Sequence, residues 1–188
     1  SEAFLKNQID RLHIPVQDNT RFILHITPSL GTSKTFLATN RAAALGGIPL
    51  VMVPIELNDQ SLFSLNDLLC WVRYNPRIVG ADVSYPFKGI AAKKIDYVSG
   101  LDRHIGVTAV YKNERMELVG NDGMGTSWVE WYEHQYGRGA LVHKKIVILG
   151  SGPVGLSIAY HVLKAGASRV VCTEIHVKEN PRLLDFVD

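Results

Sequence analysis

The sequence predicts an α/β protein, and three observations carry that prediction. Short apolar runs alternate with segments of helical period along most of the chain. One run, IPLVMVPI at 48–55, is apolar on both faces, as a buried parallel strand must be. Further on, an apolar run, a glycine-rich turn, a helical pattern and a second apolar run follow one another as a βαβ unit does.

Taken in order, residues 22–27 (FILHIT) read as a short buried strand, followed by the turn formers of PSLGTSKT. Residues 35–46 carry Phe36, Leu37, Ala43, Ala44 and Leu45, and Gly46-Gly47 closes the helix they predict. After the 48–55 strand, residues 61–75 place Leu62, Leu65, Leu68, Leu69 and Val72 at helical spacing, with Asn66 and Asp67 on the other side. IVGADVSY at 78–85 is the next strand, and GIAAKKIDYV holds a short helix. Residues 107–120 read as a hairpin around the polar turn KNER. A helix from Thr126 to His134 follows, then the loop HQYGRGALVHKK, whose glycines at 137–139 suggest a boundary. KKIVILG is a strand, GLSIAYHVLKAG a helix and SRVVCTEI a strand.

Composition narrows the function classes. A net charge of +2 over 188 residues gives no reason to expect nucleic acid or a membrane surface as partner. No apolar run is long enough to span a bilayer, and the polar N-terminus lacks a signal-peptide core. Cys70 and Cys172 lie far apart, and the seven histidines show no metal-ligand spacing, so neither a disulfide framework nor a metal is expected. The expectation is a cytoplasmic protein.

Gly150, Ser151, Gly152, Pro153, Val154 and Gly155 match G-x-G-x-x-G between a strand and a helix. Glycines there let the backbone turn tightly and approach a pyrophosphate, while the helix N-terminus offers unpaired N–H groups to it. Glu174 ends the second strand about twenty residues on, where a carboxylate accepts from a ribose 2′-hydroxyl. These residues predict binding of NAD, with NADP possible because Lys178 and Arg182 are near. Only the first half of a Rossmann-type dinucleotide-binding sheet fits before the sequence ends, so the second half is expected to be missing. The expected organisation is an α/β substrate domain over 1–123, then a linking helix and a partial Rossmann-type domain over 124–188.

Two further stretches carry a resemblance. GADVSYPFKG (80–89) resembles G-x-N-V-T-x-P-x-K of the shikimate/quinate dehydrogenase family. IGVTAVYKNERMELVGNDGMG (105–125) is similar to that family's I-G-A-V-N-T … G-x-N-T-D-G-x-G. Ser33-Lys34-Thr35 falls where the family has S-x-S, and Asn40 where its H-N pair ends. The resemblance spans about residues 23–176 and implies reversible hydride transfer between NAD(P) and a ring hydroxyl or ketone of a small cyclic carboxylate. It places Lys88 and Asp122 as the catalytic pair, and Ser33, Thr35 and Ser84 in contact with substrate. A monomer or homodimer is expected.

The same residues have plainer readings. Lys88 alone reads as a solvated lysine opening a helix. Asp122 suits a helix cap, as do Ser33 and Thr35. The sequence departs from the family at Asp82, which replaces asparagine, at Thr39, which replaces histidine, and at Ala109 or a neighbour, where an asparagine is lost. Asp82 is expected to pair with a local lysine, or to disfavour an anionic ligand. A homologue that keeps ligand or nucleotide binding without catalysis is the alternative.

Overall fold

The computed structural model describes residues 2–31, 33–61, 63–98 and 105–173. Glu174, Lys178 and Arg182 lie outside the described residues. The chain divides into two compact units, the first running to residue 98 and resuming at Val107–Asn121, the second beginning at Asp122 and including residues 105 and 106.

In the first unit, helix α1 (Glu2–Leu12) precedes strand β1 (Arg21–Thr27). The apolar side chains of α1 form one stripe: Leu5 is buried in the core, and Phe4 meets the rings of Phe63 and Trp71. Helix α2 (Thr35–Leu45), strand β2 (Leu50–Glu56), helix α3 (Leu65–Tyr74) and strand β3 (Ile78–Val83) follow. Then come helix α4 (Lys88–Ala92), the two-residue strand β4 (Tyr97–Val98), and the hairpin β5 (Ala109–Lys112) and β6 (Leu118–Asn121).

The six strands form one sheet in the order β2-β1-β3-β5-β6-β4. β1 runs parallel to β2 and β3, while β5 is antiparallel to both β3 and β6. Parallel strands covered on both faces must be apolar on both faces, and β2 shows this with five successive buried residues. Leu24, Ile26, Val53 and Val83 are fully buried, against Leu68 and Val72 of α3. That helix starts at a reciprocal cap: the Asp67 N–H donates to Ser64 Oγ, and the Ser64 N–H donates to Asp67 Oδ2. β2 is the sheet edge, and Asn40 of α2 occupies it. Its amide donates to the Met52 carbonyl at 3.0 Å, and its oxygen accepts from the Met52 N–H at 2.6 Å. That meets two of the backbone groups that an edge strand leaves unpaired.

The second unit contains helix α5 (Met124–Tyr136), strand β7 (Lys145–Leu149), helix α6 (Pro153–Lys164) and strand β8 (Arg169–Thr173). β7 and β8 pair in parallel from Lys145↔Arg169 to Leu149↔Thr173, the arrangement of a βαβ unit. α5 and α6 approach closely at Gly125, where a Cβ would lie 2.3 Å from the Ser157 carbonyl oxygen. The Gly125 N–H donates to Ser157 Oγ at 2.8 Å, which satisfies a buried hydroxyl. Gly137–Gly139 lies inside this unit: Gly137, at φ +97°, ends α5. Among the described residues no helix is long and apolar enough to cross a membrane, and no group of His, Cys, Asp and Glu is placed to hold a metal.

Candidate active site

Ligand sites in open α/β sheets lie beyond the carboxyl ends of parallel strands. In the first unit those ends carry the residues singled out by the sequence. Beyond β3, the Ser84 N–H still donates to the Ile26 carbonyl of β1, at 2.9 Å, so the chain stays anchored one residue past the strand. A cis peptide joins Tyr85 to Pro86, and the Phe87 N–H donates back to the Ser84 carbonyl. This turn delivers Lys88 as the first residue of α4.

Lys88 is 8% exposed, so it is not a solvated lysine. Its Nζ donates to Thr108 Oγ1 at 3.0 Å, and its carbonyl accepts from the Val107 N–H. A buried ammonium needs such partners, because desolvation without them costs several kcal/mol. Thr108 N–H donates in turn to the carbonyl of Asn121, the residue before Asp122. Asp122 itself is buried and stands one residue before Gly123, which is the N-cap of α5. The sequence pointed to Ala109 or a neighbour as the place of the lost asparagine. Ala109 is a paired residue of β5, and the polar group that meets the lysine is the hydroxyl of Thr108.

Ser33 and Asp82 are joined by a residue the motif comparison passed over. His25 in β1 is fully buried. Its Nδ1 lies 2.5 Å from Asp82 Oδ2, and its Nε2 lies 2.6 Å from Ser33 Oγ. Asp82 therefore pairs with a histidine rather than a lysine. The parallel register of β1 and β3 sets His25 beside Asp82. The N-cap of α2 is Lys34, with no side-chain cap, so neither Ser33 nor Thr35 occupies the capping position. Thr35 is exposed at the first turn of α2, and Ser84 is half-buried two residues after Asp82.

In the second unit, Gly150 has φ +103°, and its N–H reaches the Thr173 carbonyl and hydroxyl across the β7–β8 pair. A Cβ on Gly155 would sit 2.2 Å from the Gly150 carbonyl oxygen, so the turn closes only with glycine there. A Cβ on Gly152 would meet nothing within 4 Å. Gly152 is the N-cap of α6, Pro153 follows in its first turn, and no side chain caps the helix. Such a turn could hold a pyrophosphate: no Cβ covers the backbone at Gly152, no side chain caps the helix, and the positive end of its dipole lies there.

A shikimate 5-dehydrogenase from Listeria monocytogenes, solved with shikimate and NAD, superposes with a TM-score of 0.76 over 93% of this chain at 20% identity. The chain has the shikimate dehydrogenase fold. A quinate dehydrogenase from Corynebacterium glutamicum in complex with NAD gives a TM-score of 0.74 over 88% of this chain at 19% identity. A ligand-free 5-ketofructose reductase of Gluconobacter sp. strain CHM43 gives 0.71 over 83% at 18%. The chain spans 60%, 59% and 54% of these three proteins' lengths, in that order. No family model matches the sequence, and no curated protein matches it. With the shikimate dehydrogenase fold come an α/β first unit and a Rossmann-type βαβ unit, as the sequence predicted.

Proposed function

We propose that this chain belongs to an NAD(P)-dependent oxidoreductase that interconverts a ring hydroxyl and a ring ketone on a small cyclic hydroxy acid, of which shikimate and quinate are the models. The observation that carries this reading is Lys88: a lysine held buried at a strand's carboxyl end, with its ammonium aimed by Thr108. Burial and a fixed hydrogen-bond partner are what a proton-transferring lysine requires.

The bound nicotinamide supplies a hydride acceptor or donor. In the oxidising direction, Lys88 Nζ hydrogen-bonds the reacting oxygen and stabilises the charge that develops as its proton leaves. Of its three N–H groups, one meets Thr108. A second is free to meet the ligand oxygen, and Asp122, the other member of the proposed dyad, takes up the proton that the ligand hydroxyl releases as its hydride leaves to the nicotinamide. Ser33, Thr35 and Ser84 hold the ligand's polar substituents. Gly150, Gly152 and Gly155, with the first turn of α6, hold the pyrophosphate, and Glu174 the ribose.

The test is turnover of shikimate and quinate with NAD or NADP, followed by nicotinamide absorbance. Lys88→Ala is expected to lower kcat by about 10²–10⁴-fold while ligand binding persists. Undiminished turnover in that variant would sink the role assigned to Lys88. A binding homologue without catalysis is the second reading. The altered surroundings of the ligand place favour it: Asp82, where the resembling family has asparagine, is engaged with His25. Tight binding of ligand and nucleotide with no turnover would establish that reading.

A further inference from the structure

We infer that His25 sets which kind of ligand group Ser33 recognises, through one proton. This rests on the reading of the first unit as a pocket for a hydroxylated ring acid. His25 is fully buried, and the groups that face it come from four elements: Asp82 from β3, Ser33 from the loop after β1, the Phe36 ring of α2 at 6.2 Å, and Pro54, its register partner in β2. Asp82 is the charged group in hydrogen-bond contact with the ring, and Lys34, beside Ser33 in sequence, is exposed.

The polarity of the chain follows from valence. A carboxylate only accepts, so Nδ1 carries a proton and donates to Asp82. In the neutral ring Nε2 is then an acceptor, and Ser33 must spend its O–H on it. Ser33 Oγ presents lone pairs to a ligand and selects a hydroxyl or amine. When the ring takes a second proton, Nε2–H donates to Ser33 and the polarity reverses. The serine O–H is released and donates to a carboxylate. Binding a carboxylate at Ser33 therefore requires proton uptake by His25, and binding a neutral donor such as a hydroxyl there does not. Asp82 orients the ring and stabilises the imidazolium, which makes His25 a positioning residue rather than a catalytic one.

Two probes with one ring separate these cases: shikimate, anionic throughout the imidazole range, and its uncharged analogue with a hydroxymethyl group in place of the carboxylate, whose O–H can donate to Ser33. Affinities would be measured by calorimetry from about pH 5.5 to 8.5, where imidazole titrates. Shikimate is expected to weaken with rising pH by up to about tenfold per pH unit, the slope of a single linked proton. The hydroxymethyl analogue is expected to hold steady. Ser33→Ala, which leaves the ring's packing in place, and His25→Gln should each flatten the shikimate profile. Equal slopes for the two probes, or a slope that survives in both variants, would overturn the inference. A ligand-independent arm reads the ring ¹⁵N shifts of the free protein. The Nδ1–H tautomer at high pH, lost in Asp82→Asn, supports the relay, and an Nε2–H tautomer overturns it. If neither probe binds, the proposed substrate class fails, while the ring spectrum still decides the relay.

Discussion

Replacing Gly155 with alanine tests how the glycine turn closes. The new methyl would lie 2.2 Å from the Gly150 carbonyl oxygen, 3.2 Å from the carbon of that carbonyl and 3.3 Å from Ile148 Cγ2. Ordinary contact needs about 3.5 Å. The obstructing atoms at 2.2 and 3.2 Å are backbone, so no rotamer change relieves the overlap. Either the first turn of α6 moves off β7 or Gly150 gives up its bond to Thr173. Such overpacking costs about 3 kcal/mol, the upper end for a core insertion. Gly152→Ala is the control. Its methyl meets nothing within 4 Å, at an ordinary φ of −68°, and should change stability by less than about 0.5 kcal/mol. Facing the proposed pyrophosphate, it should still weaken NAD binding by about tenfold or more, or 1.4 kcal/mol. Urea unfolding followed by tryptophan fluorescence reads the second unit, because Trp128 and Trp131 both lie on α5. In a Trp71→Phe background they are the only reporters. If Gly155→Ala unfolds with the wild-type midpoint, the steric account of the turn is wrong.

Further predictions follow from other contacts. The Asp96 carboxyl is held below the usual carboxylate range, first by the Leu118 N–H and then by Arg73, against some opposing desolvation. Its contribution is therefore present above the unfolded carboxylate's titration near pH 4 and lost as pH falls through the lower folded value. Acid unfolding should show about 1 kcal/mol less pH dependence in Asp96→Asn, as befits a partly exposed pair, and an unchanged profile would refute this. Ser64→Ala removes half of the reciprocal cap of α3 and should cost about 1 kcal/mol in chemical denaturation; a neutral result would mean the cap is dispensable. A double-mutant cycle over His25→Leu and Asp82→Asn should give a coupling energy of about 1–3 kcal/mol, since each single change strands a polar partner. Additivity would deny the pair.

Most of the sheet was legible because parallel strands covered on both faces leave apolar runs that no surface element has. β1, β2, β3 and the hairpin β5–β6 fall where those runs do. α1 was not read, because its apolar residues Phe4, Leu5, Ile9 and Leu12 are diluted among charges and supported by Phe63 and Trp71, which are distant in sequence. β4 has two residues, too short for any period to show. Within the candidate site, Lys88, Ser33 and Ser84 could be singled out by their resemblance to a family's motifs. Thr108 could not, since one hydroxyl in an apolar segment carries no sign of what it will meet.

His25 and Asp82 show why substitutions read singly mislead. As a lone change from asparagine, Asp82 puts a negative charge where an anionic ligand is expected, and it argues against that ligand. The two residues are 57 positions apart in sequence, and only the parallel pairing of β1 with β3 makes them neighbours. Once paired, the relevant charge is that of the couple. With a neutral ring the couple carries one negative charge and resists a carboxylate. With a protonated ring it is neutral overall and accepts one through Ser33. The aspartate therefore does not exclude an acid as ligand; it makes acceptance depend on whether the buried ring holds its second proton.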